Sequence, residues 1–156
     1  MREILFRGKA RHNGEWVEGG LVIPTSKKSW VEESVIVNKS LYVIDTATVG
    51  QYTGLTDKNG KRIFEGDIIQ MHDNPNDLAV IQFGEFSCVD IGMEEKIDRV
   101  MGWHYKPLKT DAISQLEPFC WEFQLNELWV KESGMEVIGN IHDNLEWMAE
   151  VRNDRK

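Results

Sequence analysis

The chain is poor in cysteine, poor in basic charge and without long apolar runs, and each shortage removes a class of protein. Only Cys88 and Cys120 occur in 156 residues, too few for a disulfide framework. Both lie in apolar runs, Phe86-Ser87-Cys88-Val89 and Phe119-Cys120-Trp121, where cysteine behaves as a small buried hydrophobe. No stretch reaches the roughly 18 consecutive apolar residues of a membrane-crossing helix. The opening Met1-Arg2-Glu3-Ile4-Leu5-Phe6-Arg7 is interrupted by charge before any signal-peptide core forms, so a cytoplasmic location is expected. Lysine and arginine number 18 against 26 acidic residues, a net charge of −8. That balance argues against a general affinity for nucleic-acid phosphates, because such binding needs excess cations to release counterions. Internal repeats and low-complexity linkers are lacking too. So are the constellations that carry chemistry: no nucleophile stands next to a base, no three metal ligands share a face, and no glycine-rich loop is placed under a phosphate. No cofactor or metal is therefore expected.

What is present is an ordinary globular composition, 41% hydrophobic and 28% charged. At this length one domain buries about 70% of its unfolded surface without disulfides or metal, and a single domain over 1–156 is expected. Ile4 to Ala10 and Trp16 to Ile23 flank Arg11-His12-Asn13-Gly14, a strong hairpin signal because Asn-Gly accepts positive φ. Pro24 to Ser29 is turn chemistry, and Val31, Val35 to Val37 and Leu41 to Ile44 supply the β-branched residues of further strands. Residues 1–52 thus read as a small N-terminal antiparallel sheet. Between Val49 and Met71, turns at Asp57-Lys58-Asn59-Gly60 and Glu65-Gly66-Asp67 come too close together to leave room for a helix.

Leu78 to Phe83 and Phe86 to Ile91 read as strands broken at Gly84. Phe119, Trp121, Phe123 and Leu125 alternate with Cys120, Glu122 and Gln124, and Met135 to Ile141 reads as a last strand. Short strands with regular turns are the pattern of a small antiparallel barrel or sandwich, which these residues place at 53–92 and 119–142. In 93–118, Met93, Ile97, Val100, Met101 and His104 fall at helical spacing and predict a short helix, followed from Lys106 by a surface excursion. Asp143-Asn144-Leu145-Glu146 has the form of a capped helix start, predicting a helix over 143–156 with Leu145 and Met148, and Trp147 beside them, facing inward.

Four segments together, Arg2 to Gly8, Gly14 to Gly19, Val49 to Ile69 and Glu136 to Ile141, resemble the YopX family in order and spacing. Gln51-Tyr52-Thr53-Gly54-Leu55 and Glu65-Gly66-Asp67-Ile68 are its specific part, and Gly139 to Leu145 resembles the family's terminal strand-to-helix corner. Many relatives have an aromatic at the place of His142 and a proline at that of Leu145. Met93 to Pro118 has no counterpart and resembles an insertion. The resemblance implies a mostly-β fold containing an SH3-like barrel and a bacterial virus or prophage as context, and it implies no established activity.

Candidate chemistry is thin. Asp57, Asn59 and Gly60 would be positions 3, 5 and 6 of an EF-hand, but position 1 would then be Leu55 and position 12 Gly66, so the register fails. Glu65 and Asp67 share a face of an extended chain and, with His72, form an acid–base set for a small-substrate enzyme. The plainer reading is a turn whose Asp accepts backbone N–H bonds. Lys58, Lys61 and Arg62 with aromatics would make a nucleic-acid surface. His12, His72, His104 and His142 show no metal-binding spacing. Six tryptophans are many for this length. Trp16, Trp121 and Trp129 are assigned to the core, whereas Trp30, Trp103, His104, Tyr105 and Trp147 are the candidate interaction surface, since loops on a rigid scaffold carry function. The expectation is a non-enzymatic accessory β-module that self-associates or binds a host or phage protein.

Overall fold

The computed structural model describes residues 3–26, 33–90, 95–110 and 123–147. Its strands form two five-stranded sheets, in the orders β1-β2-β3-β4-β5 and β10-β6-β7-β8-β9. The chain divides into two compact units, Met1–Gly54 and Leu55–Lys156.

In the first unit β1 (Phe6–Ala10) and β2 (Trp16–Val22) form the expected hairpin. Gly14 takes φ +73 while Asn13 does not turn positive, so the connection is wider than a two-residue turn; the Gly14 N–H donates to the Ala10 carbonyl at 2.7 Å. β3 (Val35–Asn38) pairs with β2 and with β4 (Ser40–Thr56), the tight bend at Lys39 having φ +54. β4 also pairs with β1, from Phe6 opposite Gln51 to Ala10 opposite Ile44. The four strands therefore close a ring of backbone hydrogen bonds. Register shifts between Arg7 and Lys9, and there the Thr48 hydroxyl accepts the Lys9 N–H at 2.8 Å and donates to the Asp45 carbonyl at 2.7 Å. Ala10, Ile36 and Ile44 are buried. On the alternate face, Arg7 and Lys9 lie over the Trp16 ring at 4.7 and 5.5 Å from its centroid.

The second unit holds β5 (Arg62–Phe64), β6 (Asp67–Gln70), β7 (Leu78–Asp90), β8 (Glu95–Lys109), β9 (Phe123–Gln124), α1 (Glu127–Glu132) and β10 (Glu136–Asn140). Its core gathers Ile63, Ile69, Met71, Ala79, Ile81, Tyr105, Phe123, Leu125, Val130, Met135 and Val137, with Leu55, Trp103 and Trp129 packed against it. The mainly-β reading holds in both units. Among the described residues a closed ring of pairing is present in the first unit, where β1 meets β4 from Phe6 opposite Gln51 to Ala10 opposite Ile44.

Three expectations are corrected. The helix predicted from Met93 to His104 is, from Glu95 on, the strand β8, paired with β7 from Glu95 to Lys109; Met93 lies outside the described residues. Gly84 does not break β7: it stands opposite Gly102 in the β7–β8 ladder, and the rings of Phe86 and His104 stack at 4.6 Å. Leu145 is exposed; residues 145–147 do start a helical turn, and the rest of the predicted terminal helix lies outside the described residues. α1 is an element that the sequence pattern does not announce, although Asn126 caps it by accepting the Trp129 N–H at 2.9 Å and Gly134 closes it at φ +56.

Candidate functional site

The polar residues of the second unit are organised first by Asp57. Its buried carboxylate accepts the N–H groups of Asn59 and Lys61 at 2.8 and 2.9 Å through one oxygen and that of Val137 at 3.0 Å through the other. One side chain thus sets the turn before β5 and ties it to β10. Lys58, next along, bridges Asp73 and Glu136, with Nζ 2.8 Å from the latter. Its hydrogen bonds to Asp73 and then Glu136 raise its pKa, and the same bond to Lys58 lowers that of Asp73. His72 and Asp73 both have positive φ, +55 and +53. His72 Nδ1 lies 2.8 Å from a carboxylate oxygen of the buried Asp77. Burial, and then the negative charge of Asp77, push the Tyr105 hydroxyl above its usual pKa.

These contacts decide several expectations. Asp67 is fully buried and accepts the Phe64 N–H at 2.8 Å, as its turn reading requires. Glu65 precedes and Asp67 opens β6, while His72 lies two residues beyond its last residue, Gln70, in the turn that Asp73 continues. Of the basic trio, Lys58 is engaged by two carboxylates, while Lys61 and Arg62 are exposed.

Of the candidate contact surface, Trp30 lies outside the described residues. Tyr105 is 1% exposed and stacks on Phe123, and His104 is 4% exposed, so neither is a surface residue. The reason is that β8 is an integral strand at the base of the sheet and not a grafted loop. Trp147 is half-buried, and a Cβ built on Gly139 would come within 2.9 Å of its ring, so the glycine is what admits it. Trp103 remains. It is half-buried, with its ring edge-on to Phe83 at 5.0 Å between centroids.

The Trp103–Phe83 pair opens a surface that residue-by-residue reading misses. Cross-strand partners point to the same face, so Ala79, Ile81, Phe83, Met101, Trp103 and Tyr105 share one face of the β7–β8 pair. At its base this face is core. Among the described residues β6 reaches only Leu78 to Val80 of β7, and β9 only His104 and Tyr105 of β8. Beyond them, among the described residues, the pair continues as a two-stranded ribbon on whose same face Phe83 is 54% and Met101 64% exposed, with Glu85 opposite Met101. Period-two hydrophobicity through Phe83 is the available signal; reading Met101 as helical hides its partner.

The first unit offers a polar groove of about 720 Å³ lined by Lys9, Arg11, Glu33 and Asp45 over Ala10 and Ile44, in which Arg11 and Glu33 form an ion pair. Among the described residues no group of three or more His, Cys, Asp or Glu side chains is placed to hold a metal ion.

The YopX protein family model matches residues 5–149. The chain belongs to the YopX family. No curated protein matches it. Within this YopX chain, the family-like segment Gln51 to Leu55 ends β4, Glu65 to Ile68 forms the turn into β6, and Glu136 to Ile141 is β10 with the residue after it. β10 and β6 are themselves paired, Asn140 opposite Asp67, and the Gly66 carbonyl accepts the Ile141 N–H at 2.9 Å. The two family-like segments therefore meet as neighbouring backbone, which explains their composition by structure and assigns them no chemistry.

Proposed function

We propose that this YopX chain is a non-enzymatic β-module that works by binding protein, its own chain or another, with the β7–β8 ribbon as its contact surface. The family resemblance supports reading it also as an accessory protein of a bacterial virus or prophage acting in the host cytoplasm, with an SH3-like barrel in its second unit. The observation that carries the binding reading is the continuation of the core face of the sheet onto the ribbon, where Phe83 and Met101 are exposed beside Trp103. Aromatic and methionine side chains exposed beside a core, with the charged Glu85 at their margin, are the composition of an interface centre with a polar rim.

The test is the double variant Phe83→Ser with Met101→Ser. Both side chains are mostly exposed, so the fold should tolerate the change, and melting temperature serves as the control. Chemical cross-linking of the wild type during growth should capture a protein partner or a second copy, and the variant should lose that product while melting as before. A folded variant that cross-links as well as the wild type would overturn the reading.

A further inference from the structure

We infer that the ribbon joins a second copy of this chain, edge to edge along the outer edge of β8, about a two-fold axis at Ile97; this deepens the protein-binding reading and rests on it. Among the described residues β9 pairs only with His104 and Tyr105, so β8 has no strand partner on its outer side from Glu95 to Gly102. An open edge is a template for another strand, and proteins commonly blunt it with charge. Here the charges are Glu95, Lys96, Asp98 and Arg99 around a 43% exposed Ile97.

The order of these charges selects a partner. Laid antiparallel on a second copy with Ile97 opposite Ile97, the segment Lys-Ile-Asp sets Lys96 against Asp98 and Asp98 against Lys96. Opposite charges directly across an antiparallel pair are favourable and like charges are not. A symmetric antiparallel pair must centre its two-fold axis on a residue facing its own copy. Moving the axis by one residue puts Lys96 against Lys96 or Asp98 against Asp98, so Ile97 is the centre that avoids both clashes. Within one chain Lys96 and Asp98 already sit 2.9 Å apart on one face. In the pair they become a square of alternating charges, while Ile97 meets Ile97 on the other face. Arg99 lies on the bulge in β8, with φ +62, and its Nε is 3.7 Å from Glu85 of its own chain, so the ladder is centred on residues 96–98.

Sedimentation velocity over a concentration series should show the wild type in a monomer–dimer equilibrium that weakens with added salt. K96E sets two carboxylates against each other at both symmetry-related places, and D98K sets two ammonium groups, so each variant alone should be monomeric. Mixing them restores opposite charges at both places. Tagged K96E should therefore retain untagged D98K in a pull-down, although neither retains itself. Damage confined to each chain's own Lys96–Asp98 contact is not repaired by mixing. Variants that dimerise alone, or a mixture that stays monomeric, overturn the Ile97 register. A wild type that is monomeric at every concentration overturns the second copy as occupant. In either case the Phe83→Ser, Met101→Ser cross-linking result stands separately as the test of the protein-binding reading.

Discussion

At Asp57 a single carboxylate holds N–H groups from Asn59, Lys61 and Val137 inside the second unit. Asp57→Ala leaves three donors to find other acceptors, two of them at a turn near water and one in a strand. Hydrogen bonds to a charged group are worth about 1.5–3 kcal/mol each, with part recovered by water, so the variant should lose about 3 kcal/mol in urea unfolding; a loss below about 1 kcal/mol would remove the clamp. The turn is legible in the sequence as Asp-x-Asn-Gly. Its grip on Val137 is not, because the partner lies 80 positions away and no local pattern marks it. Lys58 and Asp73 give a second test. The hydrogen bond from Lys58 depresses the folded-state pKa of Asp73. The unfolded carboxyl then binds its proton first as pH falls, so the pair's contribution is present above about pH 4 and is lost as pH drops through the depressed value. Stability curves measured from pH 5 to pH 2 should therefore be flatter for Lys58→Met than for the wild type. Parallel curves would show that solvent screens the contact completely.

Among the elements, the misreading of β8 has a definite cause. Ile97 and Val100 face Cys88 and Phe86, which share one face of β7, and Gly102 and His104 continue the same row. The bulge thus spaces that face at 97, 100, 102 and 104. A step of three followed by steps of two imitates helical periodicity, and a strand with a bulge is misread by any rule that assumes a constant period. The hairpins are legible because their chemistry is local. Gly60 has φ +80, and a Cβ built there would meet nothing within 4 Å, so any penalty on replacing it is conformational and not steric crowding. Gly60→Val should cost about 1 kcal/mol or more, since a β-branched residue is an outlier at positive φ. An unchanged melting temperature would remove the turn assignment. α1 escapes notice because six residues carry too little amphipathic pattern to stand out, and its cap, Asn126, becomes informative only once the helix is known.

For the whole molecule, the chain divides into compact units at Gly54, and YopX membership extends over 5–149. Where pairing closes on itself is not legible. The decisive pair joins β1 to β4, a match between segments that each look like ordinary hairpin strands. The contact surface is half legible: aromatic excess points to Trp103, whereas the burial of His104 and Tyr105 comes from the strand that the bulge disguises. The closed ring has a consequence for how the chain is made. Its sealing contact sets Phe6 beside Gln51, so a nascent chain on the ribosome can form the β1–β2 hairpin early but must hold the outer edge of β1 open until β4 has emerged.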